Sequence, residues 1–449
     1  MTLKQRTGPL AALTALTLAG SLAACSGDSA QSDDGSGTSD ASQGSQTLEV
    51  WTRSDEVAAV NYEAVFAAFT DETGIEIDYV PDPDLGTRLQ TAAAAGDLPD
   101  IVINDSAALG SYQSQGLLQS VDRQSIDSEG NVRDDAWDGA KGLDGTYYGV
   151  PYSRHAMGTG IRADWLEALD LEAPTTMEEF LDVATAFATQ DPDGNGQDDA
   201  AGWSASLTSA NGFAAVWTAP FLWAYGGDFV TETGDGTYEA ATSTDESVAG
   251  MEAAMSVVCA DPAVVQASAI TDATGDAANL FYAGGSGMYS LGPWQMNNLD
   301  ENVGAENWAV ITPPTGPAGP AALAEGENVY LLAGSESPEG QQALAQFLIS
   351  EEGQTLGMTE GTVPSVRLSV TDSLDAGEVR EDDRWATIQK IYDTAARSFP
   401  VALDFGAIRT AAGETFNAIY TDCEADPRPA LEELDAQITE ILTTQGAAK

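Results

Sequence analysis

Between Leu48 and Ile103 the chain switches repeatedly between two hydrophobic periods, and that alternation constrains the fold more than any other feature of the sequence. Leu48-Glu49-Val50-Trp51 reads as a strand, Ala58 to Phe69 carries an apolar stripe at helical spacing, and Ile75-Glu76-Ile77-Asp78-Tyr79 alternates as a half-buried strand does. Asp84 to Ala95 reads as a helix ended by Gly96, and Asp100-Ile101-Val102-Ile103 as a short buried strand. This β-α-β-α-β order predicts an α/β fold with a mainly parallel sheet. Ligands of such sheets sit outside the carboxyl ends of the strands. The loops after Trp51 and Ile103 are therefore the first binding segments, and they carry Arg53, Ser54, Asp55 and Asn104, Asp105, Ser106.

Ahead of this body, Lys4 and Arg6 precede an apolar run from Leu10 to Ala24, too short to span a bilayer and built like a secretory signal. The run ends in Leu22-Ala23-Ala24-Cys25, similar to the lipobox of bacterial lipoproteins. Residues 1–24 are thus expected to be a signal peptide and Cys25 a lipidated mature terminus. Residues 25–47 are rich in Ser, Gly, Asp, Gln and Thr, a composition that buries too little to offset its ordering entropy, so they read as a flexible tether. No later segment is apolar enough to span a membrane, which leaves the lipid as the anchor on the extracytoplasmic face. The remaining length suits two lobes.

With a formal net charge of −54 and only Lys4, Lys141, Lys390 and Lys449 as lysines, the chain is ill suited to nucleic acid. Cys259 and Cys423 are the remaining cysteines; in an oxidising exterior a disulfide between them is favoured, two buried thiols being the alternative. Asp191, Asp193, Asn195, Gln197 and Asp199 offer oxygen at alternate positions of an EF-hand-like loop with Gly196 at its turn, so structural Ca²⁺ is one reading and a metal-free Asp/Asn/Gly turn the other. Gly202 stands where such a loop has its bidentate Glu. No required cofactor is implied. Thr176-Met177-Glu178-Glu179 is a capping box ahead of an apolar helical stripe; further helices are expected over Pro338 to Ser350 and Ala430 to Thr443.

The sequence has no His-Glu-x-x-His, nucleophile elbow, Walker loop or Cys-x-x-Cys, and its many acids give a glycoside hydrolase no distinguishing signal, so no enzyme is expected. Several separated segments instead resemble the family 1 extracellular solute-binding proteins. They include Leu98-Pro99-Asp100-Ile101-Val102 followed by Gly116-Leu117-Leu118, Asp144-Gly145-Thr146-Tyr147-Tyr148-Gly149-Val150-Pro151, Trp223-Ala224-Tyr225-Gly226-Gly227, Leu291-Gly292-Pro293-Trp294, and Ser350-Glu351-Glu352-Gly353-Gln354, in the family's order.

The resemblance implies a two-lobed periplasmic-binding-protein type II fold, each lobe a mainly parallel sheet flanked by helices, with the ligand cleft between them. Residues 48–157 with 301–362 would form one lobe, and 158–300 with 363–449 the other. It implies an extracytoplasmic, monomeric carbohydrate-binding subunit that delivers its sugar to an ABC permease; an adhesion or signalling protein on the same scaffold is the alternative. It also assigns Trp294 and Phe405 as ring surfaces for sugar, with Asp404 beside the latter. Asp55 falls on an aspartate of the family's maltose-binding member, followed here by Glu56 instead of that member's lysine, which argues against maltodextrin. His155, the single histidine, takes a ligand-binding position beside Tyr152 and Arg154. Asn211, Phe213, Trp217 and Tyr225 would approach from the second lobe, and Asn328 from a turn at Glu325-Gly326-Glu327-Asn328. Arg53, Arg154 and Arg162, either salt-bridged or reading a carboxylate, leave an acidic sugar open.

Overall fold

The computed structural model describes residues 47–234 and 236–449. The signal peptide, Cys25 and all of the tether before Thr47 lie outside the described residues. Strand β1 (Thr47–Thr52) leads into helix α1 (Glu56–Thr73), which starts where the Asp55 carboxylate accepts from the amides of Val57 and Ala58 and stops at Gly74, whose φ of 74° suits glycine. Strand β2 (Glu76–Pro81), helix α2 (Leu85–Ala95) and strand β3 (Ile101–Asp105) follow, and β1 pairs in parallel with both β2 and β3. Side chains alternate across this sheet. Leu48, Val50, Ile101 and Ile103 pack beneath Val65, Phe66 and Phe69 of α1, while Trp51 and Val102 face Leu85 and Leu89 of α2. Both faces are therefore buried, as the short apolar strands predict.

Strand β4 (Val150–Ala156) leaves this first lobe, and β5 (Gly158–Arg162) begins the second after a single intervening residue, Met157. Helix α3 (Met177–Thr189) opens with the reciprocal Thr176/Glu179 capping box. Strand β6 (Ala201–Ser204), helix α4 (Phe213–Ala224), the β7–β8 hairpin (Val230–Gly234 and Thr237–Ala240), β9 (Ser286–Leu291) and β10 (Trp308–Ile311) complete a second sheet of order β10-β5-β9-β6 with a separate hairpin. This sheet is mixed: β6 and β9 run parallel, and β5 runs antiparallel to both β9 and β10. The second lobe therefore differs from the mainly parallel expectation, because β5 enters from the crossing strand β4 and runs opposite to both of its neighbours.

Strand β11 (Ala322–Leu331) returns to the first sheet, antiparallel to both β3 and β4. The lobe boundaries shift accordingly. Residues 301–311 were expected in the first lobe, yet β10 pairs with β5 in the second sheet, so the return crossing falls between Ile311 and Ala322. Val366, Leu368 and Val370, expected in the second lobe, are buried in one cluster with Leu48 and Val50 of the first sheet and with Trp308 and Val310 of the second, and Arg154 and Leu368 exchange backbone hydrogen bonds. Helix α5 (Asp383–Ala395) lies against β4, and α6 (Phe405–Thr421) packs on α4. The Pro338–Leu348 helix matches its expected place, and the final helix, Arg428–Thr444, buries Leu431, Leu434, Ile438 and Leu442 on one face. Cys259 and Cys423 form a disulfide with their Cα atoms 5.7 Å apart, tying the end of the Asp245–Val258 helix to the segment after α6. Among the described residues, no helix is long and apolar enough to cross a membrane.

Candidate functional site

The carboxyl ends of β1 and β3 meet the crossing strands β4 and β11 at one place, and polar side chains collect there. Arg53 leaves the end of β1 and donates from Nε to Asn104 Oδ1 at 3.1 Å and from Nη2 to Asp105 Oδ1 at 2.5 Å. In β11, Glu327 lies opposite Asp105 and Glu325 opposite His155, so the two-residue period aligns the glutamates on one side of the strand. Arg367 donates to Glu327 Oε1 at 3.0 Å, and the Tyr62 hydroxyl donates to Glu327 Oε2 at 3.2 Å. The His155 Nε2 stands 3.8 Å from Glu325 Oε2, beyond hydrogen-bond reach, and neither ring nitrogen of this buried histidine makes a hydrogen bond among the described residues. Buried polar groups are normally paired, and the two ring nitrogens of His155 are an exception.

The second lobe contributes Trp294, just beyond β9. Its ring meets His155 edge to face with centroids 5.5 Å apart, and it stays partly exposed. Gly292 makes that pose accessible: a Cβ there would sit 2.3 Å from Trp294 Cζ2, so only glycine lets the ring fold back over the backbone. The expected Gly-Pro-Trp signal thus has a local cause. Arg409 of α6 completes the group, its Nε without a hydrogen-bond partner.

The charges act on one another. Burial holds Asp105 above its usual carboxylate range although Arg53 pulls the other way, and Glu325 and Glu327 add to the rise. Burial would raise Glu325 too, but His155, Arg409 and Arg53 outweigh it and leave it below its ordinary value. Arg53 is held above its ordinary value chiefly by Asp105. The arrangement offers carboxylates, guanidinium groups, an imidazole and an indole face, which is a set for binding hydroxyls and an apolar ring face. Nothing in it pairs a nucleophile with a base and its orienter.

The remaining expected residues divide by what covers them. Asp55 is exposed, one oxygen engaged in capping α1. Asn104 is buried, donating to the Tyr112 hydroxyl at 2.7 Å. Phe405 was expected to stack on ligand; its ring instead stacks on Phe399 at 4.6 Å and meets Phe229 edge to face at 5.9 Å, so it belongs to the second core. Tyr152 is fully buried, its hydroxyl 2.6 Å from Ser365 Oγ. Arg154 alternates with His155 and points the other way, donating to the Ser369 carbonyl and lying over Tyr392. Arg162 pairs with Asp164 two residues on. Trp217 is buried in the second core, while Phe213 and Tyr225, at the two ends of α4, are partly buried. Asn211 is exposed in a left-handed turn. The backbone amide and carbonyl of Asp404 are held by Gln445.

Asn328 is not in a turn: Glu325 to Asn328 lie inside β11, and the Asn328 amide donates to the Gly139 carbonyl at 2.8 Å. Glu325, Glu327, Arg367 and Arg409 are site residues that the sequence reading passed over; Glu-x-Glu at period two was the available signal for the first pair. In the Asp191 loop, Asn195 Nδ2 donates to both Asp193 and Asp199, and the Gly196 amide to Asp191, so these oxygens are occupied within the turn. Among the described residues, no group of three or more His, Cys, Asp or Glu is placed to hold a metal ion.

The fold is matched by solved structures at low sequence identity. The GacH receptor of Streptomyces glaucescens GLA.O superposes with a TM-score of 0.73 at 20% identity, over 89% of this chain and 99% of that one. Lmo0181 from Listeria monocytogenes, an ABC substrate-binding protein, does so with a TM-score of 0.71 at 18% identity, over 90% of this chain and 100% of that one. These likenesses establish the two-lobed type II binding-protein fold. Among curated proteins, the polygalacturonan/rhamnogalacturonan-binding protein YtcQ of Bacillus subtilis is 36% identical over 138 residues, 29% of this chain and 27% of its own length. The fructooligosaccharide ABC transporter substrate-binding protein FusA of Streptococcus pneumoniae is 28% identical over 181 residues, 35% of this chain and 34% of its own length. The chain thus aligns with only about a quarter to a third of these relatives' length. A model of the bacterial extracellular solute-binding protein family matches residues 55–355, two thirds of the chain. The chain belongs to the family of bacterial extracellular solute-binding proteins.

Proposed function

We propose that this protein is the carbohydrate-capturing subunit of a bacterial ABC importer, closing its lobes on a sugar and delivering it to a membrane permease. The observation that carries the reading is the partly exposed Trp294 ring set edge to face on His155, whose two nitrogens are buried without hydrogen-bond partners 3.8 Å from Glu325, with the Arg53–Asp105 pair at the neighbouring strand ends. A pyranose presents an apolar CH face for such a ring and a rim of hydroxyls for carboxylate, guanidinium and imidazole. The carbohydrate-binding relatives support the same class. Closure follows when ligand binds the closed form better than the open one.

Within this reading the body is tethered by an acylated Cys25, works as a monomer outside the cytoplasm, and leaves ATP hydrolysis to separate subunits. A Cys25→Ser protein that stays with the membrane fraction would remove the anchor. The Asp191 loop fits a calcium ion only in part, since Asp191 Oδ1 is buried without a partner while Asn195 occupies its neighbours; a melting temperature unmoved by Ca²⁺ or chelator removes that ion.

The test of the main reading is tryptophan fluorescence and thermal shift against neutral oligosaccharides, uronic acids, polyols and amino acids. A saturable response to one carbohydrate class is expected. A folded, ligand-free sample silent to all carbohydrates points to the adhesion or signalling use of the scaffold.

A further inference from the structure

The lobes meet at a second place besides the crossing strands. Beyond Asp105 the chain forms a short helix, Leu109–Ser114, whose Leu109 and Tyr112 are buried with Trp51, Leu85 and Val102 of the first lobe. Ahead of α6, Leu403 is fully buried with Phe229, Phe399 and Phe405 in the second core. Between these two anchors the Gly110 amide donates to the Val401 carbonyl at 3.0 Å, so main chain is bonded to main chain across the lobes. The approach leaves no room for a side chain: a Cβ at Gly110 would lie 2.3 Å from both the carbonyl carbon and oxygen of Leu403, and 2.8 Å from the Asp404 nitrogen. Gly110 sits inside a helix without a positive φ, so its own backbone conformation does not require glycine, and helix interiors disfavour it. The residue is fitted to the opposite lobe.

Both sides of this contact are rigidly mounted. Leu109 and Tyr112 bracket Gly110 and hold its helix to the first core. On the other side the Leu403 amide donates to the Pro400 carbonyl and the Phe405 amide to the Leu403 carbonyl. The Gln445 side chain, just past the last helix, accepts from the Asp404 amide and donates to its carbonyl. An atom added at residue 110 is therefore accommodated by turning one lobe against the other. We propose that Gly110 and the Val401–Asp404 segment form a latch, a contact between the lobes that is made on closure and sets how long a captured sugar is held. The latch rests on the reading of the protein as a sugar-capturing subunit and adds to it a residue that offers no side chain to the ligand. Gly110 is a positioning residue: it follows Asp105 on the first lobe, and the Val401–Asp404 segment leads into α6, which carries Arg409. Seating the latch sets the separation of those two parts of the site.

The experiment compares wild type, Gly110→Ala, Gly110→Val and, as control, Gly86→Ala, a glycine of α2 where an added Cβ meets nothing within 4 Å. Each full chain is titrated by tryptophan fluorescence with the carbohydrate that saturates wild type, its dissociation is followed by stopped flow, and its melting temperature is measured without sugar. Gly110→Ala is expected to bind at least about tenfold more weakly and Gly110→Val more weakly still. The loss should lie in the off-rate, with sugar-free melting unchanged because neither core is altered, and Gly86→Ala should match wild type. A second measurement needs no variant and decides the matter if a variant does not fold: hydrogen exchange of the Gly110 amide in wild type should slow when sugar is added, as its bond to Val401 forms. Gly110→Val with wild-type affinity, or a Gly110 amide whose exchange is indifferent to sugar, overturns the latch and leaves the capture reading standing. A lowered sugar-free melting temperature in Gly110→Ala also overturns it, by making the contact part of the fold. A wild type that binds no carbohydrate removes the capture reading and the latch with it.

Discussion

Trp294 and Phe405 were both expected to stack on ligand, and their neighbours separate them. Trp294 keeps part of its ring exposed above His155, whereas Phe405 is sandwiched among Phe399 and Phe229. Trp294→Ala should weaken sugar binding at least about tenfold, some 1.4 kcal/mol, without lowering the melting temperature, as fluorescence titration and calorimetry would show. Phe405→Ala should instead cost about 3–5 kcal/mol of stability, measured by denaturant unfolding, because it opens a cavity in the second core. Asp105 gives a pH signature. Its pKa is raised by burial, so as pH falls it takes up its proton before an ordinary aspartate would, and the charged acceptor is lost. Affinity should decline over that range and recover on return to neutral pH, and Asp105→Asn should abolish this limb of the profile; a profile identical in the variant would remove Asp105 from the site. Arg53, Asn104 and Asp105 were expected from the ends of two strands, which are local signals, whereas His155 and Trp294 were expected only from the family resemblance; the structure sets Arg53 against Asn104 and Asp105, and His155 against Trp294. The sequence did not show Glu325 and Glu327, because Glu-Gly-Glu-Asn has the composition of a turn and only its partners β3 and β4 hold it as a strand.

The same division between local and distant holds for elements. The opening strands and helices were legible from periodicity, and Gly96 and Thr176 marked their ends correctly, since caps and periods need no knowledge of the rest of the chain. The boundary near residue 301 moves past Ile311 because β10 is placed by its pairing with β5, which begins 150 residues earlier, and nothing within Trp308–Ile311 encodes that partner. Gly292 shows a short element serving a site: it lets the Trp294 ring turn back over the chain. Gly292→Ala should displace the ring and weaken sugar binding about as much as Trp294→Ala, with the fold retained; unchanged affinity would show that the ring's pose is set elsewhere. The disulfide links positions 164 residues apart. Replacing Cys259 and Cys423 with alanine should cost about 2–5 kcal/mol in unfolding free energy by freeing a long loop in the unfolded chain.

At the scale of the whole molecule, two sheets are joined through β4 and β11, and the candidate site is assembled at that junction from loops of the first lobe and Trp294 of the second. Neither lobe carries the complete set, so binding and closure are one event in this account: ligand contacts made across the junction are what favour the closed form. The large negative charge does not decide the site, where Arg53 is paired with Asp105 and Arg367 with Glu327; it bears on which partners approach. Capture by lobe closure is tested by small-angle X-ray scattering of the protein with and without the carbohydrate that saturates it. The loaded protein should have a smaller radius of gyration, with the change absent in Trp294→Ala at the same sugar concentration. A saturated wild-type protein whose scattering does not change would contradict capture by lobe closure.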